Sequence, residues 1–197
     1  MKIGVLALQG DFAEHLLLLH QLDVEVCEVR LPEQLNSLDG LIIPGGESTT
    51  IGKLATTYGL METIRQFAEK LPIWGTCAGA IFLAKDARRQ QPLLNIMDIT
   101  VERNAFGRQV DSFEADLVVP DLLDPDRPFH AIFIRAPIIE SVGDGVDIIA
   151  RLDNDTKAGN AQIVAARQSN LLATSFHPEL TGDDRFHRYF LSMAGIQ

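Results

Sequence analysis

The first half of the chain alternates short apolar runs with amphipathic segments. Four apolar runs predict buried parallel strands: Ile3–Leu8, Val24–Val29, Leu41–Ile43 and Pro72–Trp74. The segments between and after them predict helices: Asp11 to Leu22, Ser48 to Tyr58, Leu60 to Lys70 and Cys77 to Lys85. This order predicts a parallel sheet with right-handed crossovers and with helices on both faces.

Three of these helix boundaries carry specific expectations. Asp11 is expected to cap the first helix, with Glu14 completing a capping box. Ser48 or Thr49 is expected to cap the second helix, and Gly59 is typical of the residue that follows a helix.

The second half is richer in strand patterns. Six further strands are predicted: Ile99–Val101, Ser112–Val119, Phe129–Ile134, Val146–Arg151, Gln162–Arg167 and Leu172–Ser175. Turn signals separate them, among them Asp153-Asn154-Asp155, and a helix over Asp183–Met193 closes the chain. We therefore expect one α/β domain over residues 1–197, a three-layer sandwich whose single, mostly parallel sheet carries antiparallel additions.

Composition narrows the class of protein. The chain has 197 residues and a formal net charge of −10, which suits one domain and argues against a nucleic-acid binder. No apolar run reaches the roughly 18 residues of a membrane span, and we expect a soluble cytoplasmic protein. Two cysteines and scattered histidines predict neither a disulfide framework nor a metal site, and no cofactor is expected.

The candidate chemistry lies where the predicted strands end. In open α/β sheets, ligands bind at the carboxyl ends of the strands. That rule selects five positions: Gln9-Gly10, Pro44 to Ser48, Cys77, Arg135 and His177.

Cys77 lies in Gly75-Thr76-Cys77-Ala78-Gly79, between a strand and a helix. Small neighbours allow a sharp turn that exposes the central side chain, as in a nucleophile elbow. The following amide, on Ala78, would donate to an oxyanion. The alternative is a small cysteine packed behind a turn, which is the interpretation we give to Cys27 inside its strand.

Phe176-His177-Pro178-Glu179 offers a general base and a carboxylate that orients it. Pro178 keeps His177 extended, so Glu179 can accept a hydrogen bond from the imidazole. The alternative is a capping turn before the last helix. The other histidines are interpreted as core or surface residues: His15, His20, His130 and His187.

The loop Gly45-Gly46-Glu47-Ser48 lacks the spacing of a phosphate-binding loop. Its glycines allow backbone amides to approach a ligand and to form an oxyanion hole, and Glu47 suits an ammonium group. Arg103 or Arg135 can bind a carboxylate through two-pronged donation, and the alternative for each is a solvated surface role.

Three of these motifs, in this order, resemble those of class I (triad-type) glutamine amidotransferases. A closer similarity is to the glutaminase subunits of pyridoxal 5′-phosphate synthase, and it covers nearly the whole chain. The segments that carry it are Gly4 to Gly10, Pro44 to Thr50, Trp74 to Gly79, Val101 to Asn104, Phe106 to Glu114, Phe133 to Pro137 and Ser175 to Thr181.

The resemblance implies a flavodoxin-like class I glutamine amidotransferase fold and the hydrolysis of L-glutamine to L-glutamate and ammonia. It implies Cys77 as nucleophile, His177 as general acid and base, and Glu179 as the residue that orients it. It further implies a glutamine site and an oxyanion hole. The glutamine-binding residues would be Gly46, Glu47, Ser48, Arg103, Ile134 and Arg135, and the oxyanion hole would use Gly46 and Ala78.

The implied partner is a (β/α)₈-barrel synthase subunit that uses the ammonia to build pyridoxal 5′-phosphate, in an assembly of twelve synthase and twelve glutaminase subunits. Low activity is then expected until the partner docks. The roles of Asp86 to Asp98 and of Arg108 stay open, and Ala80 is smaller than the family's usual residue. Two other interpretations stay open: a non-catalytic regulatory subunit of the same fold, and another cysteine-triad hydrolase.

Overall fold

The computed structural model describes residues 1–103, 112–153 and 161–195. Its α-helices are α1 (Phe12–Gln21), α2 (Ser48–Thr57), α3 (Leu60–Ala68), α4 (Ala78–Leu83) and α5 (Arg185–Met193). The strands of its first half are β1 (Lys2–Leu6), β2 (Glu25–Val29), β3 (Gly40–Ile43), β4 (Ile73–Thr76), β5 (Ala84–Asp86) and β6 (Met97–Glu102). Those of its second half are β7 (Ser112–Leu117), β8 (Phe129–Ile134), β9 (Ile138–Val142), β10 (Asp147–Leu152), β11 (Gln162–Gln168) and β12 (Leu171–Thr174).

Most strands join one mixed sheet in the order β2-β1-β3-β4-β12-β11-β9-β6-β5, with β10 on β11. The pairs from β2 to β12 are parallel, whereas β12, β11, β9 and β6 pair antiparallel in turn. The mostly parallel sheet with antiparallel additions is thereby confirmed. The expectation of a single sheet was wrong, because β7 and β8 form a separate antiparallel hairpin.

The two faces of the sheet bury two different cores, as a period of two along each strand requires. In β3, Leu41 and Ile43 join the core beneath α2, α3 and α4, whereas Ile42 joins the core beneath α1 and α5. The β7–β8 hairpin covers the second face, with Phe129 and Phe133 fully buried. This packing is the three-layer sandwich that the sequence predicts.

Two strands and one helix end differ from the sequence prediction. Neither β9 nor β5 is predicted from the sequence, in the case of β5 because Ala84 and Lys85 continue an apolar helical pattern. In the structure α4 ends at Leu83 because Ala84 turns extended and pairs with Met97. Sheet pairing outweighs local helix propensity at this point.

The helix caps are only partly as predicted. Asp11 makes no side-chain cap hydrogen bond, so the predicted capping box at α1 was wrong. The cap of α2 is Glu47 rather than Ser48 or Thr49, since its carboxylate accepts from the backbone amides of Thr49 and Thr50. Gly59 is left-handed, at φ 72°, as a residue after a helix end commonly is.

No helix in the described parts of the chain is both long enough and apolar enough to cross a membrane. The predicted turn at Asp153-Asn154-Asp155 lies partly outside the described residues.

Candidate active site

A cavity of about 400 Å³ opens at the carboxyl ends of four neighbouring parallel strands, β1, β3, β4 and β12. Every predicted strand-end position contributes to its wall. The lining residues are Gln9, Gly10, Asp11, Gly46, Glu47, Ser48, Cys77, Ile81, Arg103, Ile134, Arg135, His177 and Leu180. The topology of the main sheet therefore joins segments that are far apart in the sequence, and the separate β7–β8 hairpin adds Arg135.

Cys77 lies at a strained turn between β4 and α4, with φ 48° and ψ −103°. Its backbone amide donates to Thr174 O at 2.8 Å, which ties the turn to β12. A Cβ on Gly75 would lie 2.5 Å from the backbone carbon of Gly79, and one on Gly79 would collide with the carbonyl of Ile43. Only glycine fits both flanking positions, as a nucleophile elbow requires.

His177 and Glu179 follow β12 at the same edge of the sheet. His177 Nδ1 lies 2.7 Å from Glu179 Oε1 and 3.6 Å from Asp11 Oδ2, and the backbone amide of His177 donates to Ile132 O. His177 is 3% exposed and Glu179 is 7% exposed. The imidazole is thus held by a buried carboxylate and turned toward the cavity that contains Cys77.

The electrostatics favour a protonated imidazole. Burial of His177 opposes its charge, but its hydrogen bonds and charge interactions with Cys77 and Glu179 outweigh burial and raise the pKa of His177 to about 10. Burial raises the pKa of the Glu179 carboxyl, and His177 offsets part of that rise. His177 therefore lies beside Cys77 as a group able to donate a proton.

The loop after β3 forms the opposite wall. Gly46 has φ 144°, a conformation that favours glycine, and the backbone amide of Glu47 donates to the side chain of Gln9 at 2.7 Å. A Cβ on Gly45 would lie 2.5 Å from His177 Cε1. The loop therefore packs directly against the imidazole, within a site that leaves no room for side chains there.

Glu47 and Arg103 pair with each other. Arg103 Nη2 donates to Glu47 Oε1 at 3.1 Å, and its Nη1 lies near Thr49 Oγ1 and Gln91 Oε1. Burial tends to raise the pKa of Glu47, but hydrogen bonds from Thr50 and Thr49 lower it to about 2. Glu47 is therefore a fixed negative charge at the cavity wall.

Arg135 immediately follows β8 and is exposed, at φ 44°. It forms no ion pair with any residue in the described ranges, and it lines the cavity. Ile134 is 36% exposed, and its carbonyl lies 3.9 Å from Cys77 Sγ. Arg103 is thus paired with Glu47, whereas Arg135 has no ion-pair partner among the described residues.

The structure adds contacts that the sequence analysis missed. Asp11 lies beside His177, and Gln91 places the segment 86–98 against Ser48 and Thr49, although its role was left open. His15 and His187, interpreted only as core or surface residues, lie buried behind Glu179 and contact each other. The signal for His15 was its spacing of four residues from Leu19, on the apolar face of α1.

Three further expectations concern a metal site, Cys27 and Arg108. Asp11, His177 and Glu179 offer ligand atoms within 4.8 Å of one another, a closeness that the His177–Glu179 hydrogen bond already explains. Cys27 is half-buried in β2 and packs against the core, as its strand position predicts. Arg108 lies outside the described residues.

A cysteine elbow and a histidine–glutamate pair meet at the carboxyl edge of a mixed α/β sheet. This combination is typical of class I glutamine amidotransferases. Among them, the chain belongs to the SNO glutamine amidotransferase family, which matches residues 5–195.

Relatives and a solved structure agree with this membership. The chain is 58% identical over 198 residues to pyridoxal 5′-phosphate synthase subunit PdxT of Herpetosiphon aurantiacus, covering 98% of this chain and 100% of the relative. It is 58% identical over 199 residues to the subunit of that name in Dehalococcoides mccartyi, covering 98% of this chain and 97% of that relative. A crystal structure of a glutamine amidotransferase is similar with a TM-score of 0.90 and 52% identity, covering 98% of this chain and 99% of that one.

Proposed function

We propose that this chain is the glutamine-hydrolysing subunit of a pyridoxal 5′-phosphate synthase. Its relatives at 58% identity carry that subunit's name over essentially their full length. The observation that carries the chemical part is the cavity that holds Cys77 together with the His177–Glu179 pair. The reaction converts L-glutamine to L-glutamate and ammonia.

The proposed first step is attack on the side-chain amide of glutamine. Cys77 Sγ, as a thiolate, forms a bond to the amide carbon, and the carbonyl oxygen becomes an oxyanion. His177 then donates its proton to the amide nitrogen as the carbon–nitrogen bond breaks, which releases ammonia and leaves a thioester on Cys77. The raised pKa of His177 supports its role as the proton donor.

In the second step, water attacks the thioester. His177, now neutral, takes a proton from the water, and the bond between carbon and sulfur breaks to release glutamate and restore the thiolate. The proposed oxyanion donors are the backbone amides of Gly46, in the loop after β3, and of Ala78, the residue after the nucleophile. The high φ of Gly46 supports this, since such a loop can turn an amide inward without a side-chain clash.

Recognition of the amino acid needs one cation and one anion. We assign the α-carboxylate to Arg135, because Arg103 is already engaged by Glu47. We assign the α-ammonium to Glu47, whose low pKa keeps it charged. Ser48 and Ile134 complete the wall of the pocket, and Arg103 holds Glu47 in place. Arg135→Gln should therefore raise the KM for glutamine with little loss of kcat.

The ammonia must reach a second active site before it is lost to water. We propose a (β/α)₈-barrel synthase subunit as acceptor and an assembly of twelve subunits of each kind. Leu180 and Ile134, both exposed at the cavity, are apolar residues suited to an interface. Mass measurement of the reconstituted complex tests the stoichiometry, and a different count refutes it.

The decisive experiment compares the two cysteines. Cys77→Ala, assayed for glutamine hydrolysis with the barrel partner present, should lose activity while folding normally. Cys27→Ala, a matched change in β2, should keep wild-type activity. Normal turnover by Cys77→Ala would refute the proposed mechanism.

A glutamine-like electrophile separates the catalytic from the regulatory interpretation. It should label Cys77 and not Cys27, and should label faster when the barrel partner is added. Failure to label Cys77 even with the partner bound favours a non-catalytic subunit. Equal turnover of unrelated amides or peptides favours another cysteine hydrolase.

A further inference from the structure

Two buried histidines lie behind the proposed triad. His15 on α1 and His187 on α5 are both fully buried, and His15 Nδ1 lies 2.9 Å from His187 Nε2. The two residues come from opposite ends of the chain. Trp74 packs edge-on against both rings, at centroid distances of 5.8 Å and 4.9 Å. Buried polar side chains in an apolar core are normally hydrogen-bonded, so the position of this histidine pair is set by its polar contacts as well as by packing.

The carboxylate of Glu179 faces this pair. Its Oε1 contacts His177, but its buried Oε2 makes no hydrogen bond to any residue in the described parts of the chain. The neighbouring His15 Nε2 lies 3.4 Å from Oε2 and 3.3 Å from Thr76 Oγ1. A buried carboxylate with one bare oxygen is costly, and a donor aimed at that oxygen relieves the cost.

The contact between His15 and His187 determines which ring nitrogen of His15 carries its proton. Burial, with the electrostatic repulsion that His187 and His177 would exert on a charged ring, lowers the pKa of His15 well below 6.5, and burial lowers the pKa of His187 to about 3. Both rings are therefore neutral, and each carries one N–H. If His187 Nε2 donates to His15 Nδ1, the proton of His15 is on Nε2 and faces Glu179. The reverse arrangement would place a lone pair against the carboxylate.

We propose that His187 holds His15 in its Nε2–H tautomer, and that His15 shares this proton between Thr76 and Glu179, which keeps Glu179 ionised and aligned on His177. His15 and His187 are then positioning residues that act through Glu179. This inference rests on the proposed glutaminase function for its catalytic consequence. The tautomer of His15 itself does not depend on that function.

The charged groups around Glu179 and His187 determine the expected pH dependence of kcat/KM. Glu179 faces His177 and His15, with Asp11 nearby, and Asp184 is the acidic group that acts on His187. Without the His15 donor, burial favours the neutral form of Glu179, and His177 loses support for its proton. The alkaline limb of kcat/KM should then move to lower pH.

The kinetic test compares four variants in complex with the barrel partner. His15→Leu removes the donor, His187→Leu removes the group that fixes its tautomer, and His15→Gln keeps an N–H at the position of Nε2. The exposed His20→Gln, on the same helix, is the control. We expect His15→Leu to lower kcat by roughly 10- to 100-fold, as loss of a hydrogen bond to a charged group does, with an unchanged KM.

The variants should also differ in their pH profiles. In His15→Leu the alkaline limb should fall by about one pH unit. In His187→Leu the pH of the alkaline limb should lie between the wild-type value and that of His15→Leu. His15→Gln should recover most of the activity. His15→Leu protein that folds normally, binds the partner and keeps the wild-type kcat and pH profile overturns the proposal.

Nitrogen-15 NMR of the histidine rings tests the proposal without any activity. We expect His15 to carry its proton on Nε2 in the wild type, and a proton on Nδ1 overturns the proposal even where a variant fails to fold. If wild-type protein with its partner hydrolyses no glutamine, the proposed function fails. The tautomer measurement then still decides whether His15 presents an N–H or a lone pair to Glu179.

Discussion

Gly45→Ala is expected to damage the site through one added methyl group. Its Cβ would lie 2.5 Å from His177 Cε1, 3.0 Å from His177 Nδ1 and 2.9 Å from Asp11 Oδ2. Carbon atoms pack at about 3.5–4.0 Å, so the imidazole must retreat by about 1 Å. That movement disturbs its 2.7 Å contact with Glu179 and its approach to Cys77.

A displacement of about 1 Å at reacting groups can cost on the order of 100-fold in rate, and we expect that loss in kcat. Overpacking should also cost about 1–3 kcal/mol of stability. The assay is glutamine hydrolysis with the barrel partner present, alongside thermal unfolding. The control is Gly182→Ala, because a Cβ there meets nothing within 4 Å and should change neither quantity. A Gly45→Ala protein with wild-type kcat and unfolding temperature would show that the loop does not confine His177.

Three further predictions concern stability. Cys77→Gly should be about 1 kcal/mol more stable than Cys77→Ala in urea unfolding, because φ 48° penalises any Cβ, and the opposite order refutes strain at the elbow. Acid should destabilise the protein between pH 6.5 and pH 3, since the pKa of His187 is lowered to about 3 and the stability present above pH 6.5 is lost as the pH falls. The cost reaches about 4 kcal/mol for this group, and His187→Leu should flatten the pH curve whereas the exposed His20→Gln should not. Arg185→Met should cost about 3–5 kcal/mol, because this guanidinium, 4% exposed, donates to the carbonyls of Asp124, Arg127 and Pro128 and to Asp183. Arg188→Met, which removes an exposed pair with Asp184, should cost no more than about 0.5 kcal/mol, and equal losses in the two variants contradict the assignment.

Local patterns predicted the parts of the molecule that depend on neighbours in sequence. The apolar runs of β1, β3 and β4 and the glycines around Cys77 specify buried strands and a sharp turn, because strand period and backbone freedom are local properties. The rule that ligands bind at strand ends then selected many of the residues that line the cavity, although not Asp11, Ile81 or Leu180.

Other features required contacts between distant segments. Local sequence cannot show that β7 and β8 leave the main sheet, because strand pairing is chosen among all available edges. Nor can it show that Glu47 caps α2 and binds Arg103, since both contacts depend on where the loop after β3 lies.

The sequence by itself determined the class of fold and the residues that could carry the chemistry. Both follow from local properties of the sequence, namely the alternation of apolar segments and the short motifs between them. Only the tertiary structure decided the surroundings of those residues. His15 and His187 lie 172 positions apart and meet 2.9 Å from each other behind Glu179. Such a contact arises when two helices pack on the same face of a sheet, and no local pattern encodes that packing.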